Sequence, residues 1–260
     1  MDFLPRLLFS VLLLCVIASA QTPTLSVSAG KSKEQQQKQA EFDVRYANAV
    51  ALRRARDFQA ALDKVQEAEQ LAGNLTDTKY SWLQEILAGE ADCLIALKKF
   101  PEAETVLLRR RDALRISTNE LDNSYAHNFS VLADLSAKRQ DWSGAEQYLQ
   151  LALKAHDKLI AHFAGSGSNA AMIQEERRAK ALDMFHMGLA YAHEGKYAEA
   201  LVVLNESFTT ASEAHAPSQQ LTPIATAARD IAVHTGFPAD VEKWHGRLTA
   251  LSDGAAASKK

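Results

Sequence analysis

The chain has 260 residues, a net charge of −3 with its eight histidines neutral, and 47% hydrophobic against 23% charged residues. That balance excludes a disordered chain, and the acidic sum lacks the basic field with which nucleic-acid binders displace counterions from phosphates. Eleven glycines and six prolines are too few for the many turns of a sheet protein, whereas abundant Ala, Leu, Glu, Gln and Lys favour helices.

At the start of the chain, Arg6 precedes an apolar run from Leu7 to Ile17, interrupted only by Ser10 and followed by Ala18-Ser19-Ala20. This is the pattern of a secretory signal peptide over residues 1–20, cut after Ala20. The run is short for the roughly 30 Å of hydrocarbon in a bilayer, and no other segment is apolar enough to cross one. The expectation is export to the periplasm or the outside of the cell with no membrane span after cleavage; retention as an uncleaved anchor is the alternative. Cleavage removes Cys15 and leaves Cys93 alone, which excludes an internal disulfide. In Ala91-Asp92-Cys93-Leu94-Ile95 a free cysteine reads as a small buried hydrophobe. Residues 21–33, rich in Thr, Ser and Pro, read as a flexible leader, and residues 253–260 as a disordered tail.

Between them, residues 34–252 are dominated by internal repetition. Four stretches align on an aromatic residue, Phe58, Phe100, Trp142 and Tyr197, each followed three positions later by Ala61, Ala103, Ala145 or Ala200. Four residues further on stand Val65, Leu107, Leu149 and Leu204, and nine before each aromatic stand Ala49, Ala91, Ala133 and Gly188. A weaker fifth copy runs through Phe237, Asp240 and Trp244, and the aromatics are separated by 42, 42, 55 and 40 residues. Antiparallel helices pack closely only where small side chains let their backbones approach. The small residues therefore mark the crossing of two helices, the aromatic seals the turn between them, and the large residue fills the seam. Arg56-Asp57, Lys98-Lys99, Gln140-Asp141, Gly195-Lys196 and Thr235-Gly236 are the expected hairpin turns. Pro101 and Pro238 suit a first helical turn. The longer third step accommodates a Gly165-Ser166-Gly167-Ser168-Asn169 loop and an extended helix from about Ala170.

The run from Met187 through Gly188-Leu189-Ala190-Tyr191 and Gly195-Lys196-Tyr197-Ala198-Glu199-Ala200 to Leu201 resembles a tetratricopeptide repeat (TPR) at nearly every diagnostic position. The resemblance implies an all-α, right-handed α-solenoid of antiparallel helix hairpins. A period above the usual 34 residues is similar to the repeats of kinesin light chains. Copy two departs from the pattern in placing Arg110 where a small residue is usual.

No sequence pattern points to catalysis, a cofactor or a metal: there is no His-Glu-x-x-His, Cys-x-x-Cys, phosphate loop or Gly-x-Ser-x-Gly. His186 and His193 share a helix face, but at about 10 Å they stand too far apart for one ion, and His156 and His162 lack a shared face. Arg109-Arg110-Arg111 and Glu175-Glu176-Arg177-Arg178 read as solvated helix surface. Asn74-Leu75-Thr76, Asn128-Phe129-Ser130 and Asn205-Glu206-Ser207 fit the glycosylation pattern.

The expected function is a non-catalytic protein–protein interaction scaffold that binds a peptide or protein in the concave groove. An accessory subunit of an enzyme, or a self-associating structural assembly, is the alternative. In such solenoids the first helix of each pair lines the groove. The resemblance thus places Tyr46, Val50 and Arg53 there from copy one and Asp92 from copy two. Asp134 and Lys138 follow from copy three, Phe185, Leu189 and His193 from copy four, and Arg229 from copy five. Val50, Asp92 and Asp134 stand where a clamp for a C-terminal carboxylate would need uncharged or basic donors, so no such clamp is expected, and the Asn pairs of kinesin-type repeats are missing.

Overall fold

The computed structural model describes residues 33–72, 79–118, 120–167 and 170–257. Among them are ten helices and no strand: α1 (Lys33–Arg54), α2 (Phe58–Ala72), α3 (Lys79–Ala96), α4 (Phe100–Thr118), α5 (Asn123–Lys138), α6 (Trp142–Gly165), α7 (Ala170–His193), α8 (Tyr197–Glu213), α9 (Ser218–Thr235) and α10 (Pro238–Ala257). The chain divides into two units, residues 1–37 and 38–260. The signal peptide, the leader before Lys33, the Asn74 sequon and the end of the glycine–serine loop lie outside the described residues. The tail expected from Asp253 instead continues α10 to Ala257, since the small, good helix formers Ala255, Ala256 and Ala257 extend the preceding turns.

The hairpin turns repeat one backbone device. Two residues before each of the first four aromatics, the chain enters the left-handed region: φ is 63° at Arg56, 59° at Lys98, 63° at Gln140 and 78° at Gly195. The next amide then reaches back to a carbonyl five residues earlier, Asp57 to Leu52 (3.0 Å), Lys99 to Leu94 (2.8 Å), Asp141 to Ser136 (2.9 Å) and Lys196 to Tyr191 (2.9 Å). This Schellman closure satisfies carbonyls that the helix end would otherwise leave unpaired. Gly236 repeats it before α10, with Phe237 bonded to Ala232 at 3.1 Å. Asp57 and Asp141 then accept from Ala60 and Gly144 amides at 3.2 and 2.9 Å, capping the next helix within the same turn.

The small residues lie at the crossings, as the sequence predicts. Ala49, Ala61, Ala91, Ala103, Ala133, Ala145 and Ala200 are buried, as are Val65, Leu107, Leu149 and Leu204. From α2 to α10 each helix packs on its neighbours in sequence, and α5 also meets α7, as α7 meets α9, while Phe42 and Ala49 of α1 join Val65 and Ala68 of α2 in one cluster. Phe42 of α1 meets Trp82 of α3 edge-on at 5.3 Å. The first helices therefore stand side by side on one face of residues 38–260 and the second helices on the other.

Neighbouring repeats are stapled by a recurring glutamate four residues after the aromatic. Glu104 accepts from Arg139 (2.5 Å) and the Tyr148 hydroxyl (3.4 Å) of repeat three. Glu146 does the same for Lys196 (3.2 Å) and the Tyr191 hydroxyl (3.3 Å) of repeat four. At the outer junctions the same position holds Leu62 and Leu201, which join the apolar clusters there.

Candidate functional site

The face formed by α1, α3, α5 and α7 carries titratable groups that feel one another across repeats. Arg53 of α1 donates to Asp92 of α3 at 2.9 Å, passing close over Gly89, where a Cβ would stand 3.3 Å from the guanidinium. Asp134 and Lys138 pair along α5. Behind them Arg110 of α4 is buried, donating to the Gln84 carbonyl (3.1 Å) and the Asn128 side chain (3.3 Å), while Asn128 donates to the Leu107 carbonyl (3.0 Å).

The electrostatics give this face its form. The Asp92 side chain is 57% exposed, yet loss of solvent pushes its carboxyl above the usual range against the pull of Arg53 and Arg110. His127 is also exposed, and desolvation, followed by the charge of Arg110, holds it below the ordinary histidine range. A group that touches water while protein surrounds it lies in a hollow. Desolvation likewise lowers His186 and raises Tyr46. These groups lie together on the face of the first helices from α1 to α7.

Of the residues expected to line the groove, Tyr46, Arg53, Asp92, Asp134 and Lys138 are thus brought onto one electrostatically coupled surface, with Val50 half-buried beside them. Phe185 is not available to a partner: it is 9% exposed and belongs to the core of α7 to α9 with Ala181, Leu204 and Ile224, because its ring buries more apolar area there than a groove would cover. Leu189 packs half-buried against the same core. His193 lies at the hairpin edge, stacked on Trp142 with ring centroids 3.9 Å apart and planes 2° from parallel. Arg229 donates to its neighbour Asp230 at 2.7 Å. Glu85 and His127 were not among the expected lining, although both fall on first helices and a full helical-wheel alignment of the copies would have added them.

Two charged segments expected at the surface are corrected. Arg110 is buried because it fills the seam between α3 and α5, and Glu176 is buried because it faces His156 of α6. Asn128 is fully buried and Asn205 accepts from Arg247 at 3.1 Å, so both sequons belong to the packing. Cys93 is buried, and burial pushes its thiol up to about 11.

Hairpins of this construction, stacked with their first helices on one face, define a TPR-like right-handed α-solenoid. BtubC (BKLC) from P. vanneervenii shares the fold with a TM-score of 0.65 at 13% identity, over 86% of this chain and 93% of that one. Aspartyl phosphate phosphatase F from Bacillus subtilis gives 0.65 at 12% identity over 86% of this chain; the match spans about half, 54%, of the phosphatase. A putative kinesin light chain of nearly identical TPR-like repeats from Podospora anserina gives 0.57 at 9% identity, over 87% of this chain and 100% of that one. No family model and no curated protein matches the chain. Among the described residues, no helix is long and apolar enough to cross a membrane, and no group of three or more His, Cys, Asp or Glu could hold a metal ion.

Proposed function

We propose that this chain is an exported, non-catalytic scaffold that holds a peptide or a segment of another protein on the concave face of its first helices. The observation that carries the reading is the Arg53–Asp92 pair joining two first helices on an exposed face that also carries the exposed His127. Charged groups already paired across helices are held in place before a partner arrives, so a partner that hydrogen-bonds to them orders few further side chains. Val50, Tyr46 and Leu189 supply apolar contact between the charges. The TPR-like fold, which offers an extended surface rather than an enclosed pocket, supports a binding role over a catalytic one. Export rests on the signal-peptide pattern of residues 1–20.

Affinity capture with the chain beginning at Gln21 tests the binding reading. It should recover one defined polypeptide, and Arg53→Glu, which reverses the charge facing Asp92, should weaken recovery while leaving helicity intact. Recovery that is indifferent to Arg53→Glu and to Val50→Asp would overturn it. Cell fractionation with N-terminal sequencing tests export: a chain found only in the cytoplasm and starting at Met1 would contradict it.

A further inference from the structure

One buried ionic cluster lies beneath the first helices, between α5, α6 and α7. His156 of α6 is 3% exposed. Its Nδ1 stands 2.5 Å from Glu176 Oε1 and its Nε2 3.0 Å from Asp183 Oδ2, both on α7. Ser130 of α5 donates to that same Asp183 oxygen at 2.7 Å. Ionised carboxylates only accept, and a neutral imidazole has one N–H. A ring with an acceptor on each edge is satisfied by both only when it carries two protons.

We propose that His156 is a proton-held tie that fixes α7, and with it α8 to α10, against α5 and α6, so that the setting of repeat four on repeat three depends on that proton. The two carboxylates lie on opposite edges of the ring and cannot converge on one metal ion. They come from positions seven residues apart on α7, and the extra length of that helix brings Glu176 over His156. Ser130 carries the tie to the groove helix α5.

The charged and titratable groups facing the ring are few. Glu176 and Asp183 come from α7. His127 comes from α5, where burial and then Arg110 keep it below the ordinary histidine range, so it stays uncharged at neutral pH. His186 of α7 faces Asp183 and is held low by burial. Lys180 pairs with Asp157 at 2.5 Å along the exposed edge of the same junction. Burial works against charge on His156, but the hydrogen bonds to Asp183 and Glu176 outweigh it and raise the ring to about 9. A histidine raised from its unfolded 6.5 stabilises the fold fully below about pH 6.5 and loses that contribution as pH rises through about 9. Deprotonation then leaves two buried carboxylates against a ring with one donor, a state that favours opening of the junction or entry of water.

Nitrogen-15 NMR of the histidine rings in the full chain reads the proton directly. At about pH 7.5 both nitrogens of His156 should be protonated, with titration near 9. Amide exchange, corrected for its intrinsic pH dependence, should rise at least about tenfold across α6 and α7 between about pH 7.5 and 10. The α3–α4 hairpin should show no such step, and His156→Gln should abolish it. A single protonated nitrogen at about pH 7.5, titration near the ordinary value, or an identical step in His156→Gln would each overturn the proposal. Should His156→Gln fail to fold, the ring spectrum of the unsubstituted chain still decides.

Discussion

Gly188 of α7 lies directly under Leu204 of α8: a Cβ at position 188 would stand 2.7 Å from Leu204 Cγ and 3.4 Å from the Ala200 carbonyl oxygen. Two helices meet here with no room for a methyl group, at the position where the other repeats carry alanine. Substituting Gly188 by leucine should cost about 1–3 kcal/mol through overpacking. Alanine should also destabilise, although it gains up to about 1 kcal/mol in helix propensity. Denaturant unfolding distinguishes the two effects: a Gly188→Ala chain more stable than the parent would mean that this crossing is looser than described.

The hairpin turns place non-glycine residues in left-handed backbone at Arg56, Lys98 and Gln140. This conformation costs an L-residue roughly 1 kcal/mol. Lys98→Gly and Gln140→Gly should therefore raise stability by about 0.5–1 kcal/mol each, while Gly195→Ala should lower it by a similar amount. Opposite signs in thermal melts would contradict the turn geometry.

Asn128 joins Arg110 to the Leu107 carbonyl in the seam between repeats two and three. Asn128→Ala strips an acceptor from a buried guanidinium and a second donor from the Leu107 carbonyl, a loss of about 2–3 kcal/mol. Asn205→Ala, at the half-buried contact with Arg247, should lose only about 1 kcal/mol. Equal effects at the two positions would show that burial of the Arg110 network contributes nothing special.

Cys93 is buried at the core of the second repeat, and burial raises its thiol to about 11. Disulfide reagents at about pH 8 should label it only in denaturant, since the thiolate is the reactive form. Rapid labelling of the native chain would show that α3 opens more readily than its packing implies.

The repeat frame was legible from small and aromatic residues in fixed order, because close helix crossings demand small side chains at set spacing. The junction between α6 and α7 fell at the glycine–serine loop for the same local reasons. The left-handed turns at Arg56, Lys98 and Gln140 were not legible, since their backbone is imposed by helix closure and not chosen by a glycine. Glu176 and Arg110 read as surface because charge is judged locally, whereas each is paid for by a partner about twenty residues away in sequence, His156 and Asn128. Phe185 shows the converse: its helix was assigned to the groove, but a large ring beside a seam turns inward.

Site-specific photo-crosslinking in the native compartment tests the central claim most directly. A crosslinker placed at Val50, His127 or His186 on the first helices should capture one defined polypeptide. The same group at Gln147 or Gln150 on the opposite face should capture none. Capture from Gln147 and Gln150, with nothing from the first-helix positions, would contradict a partner held on the concave face.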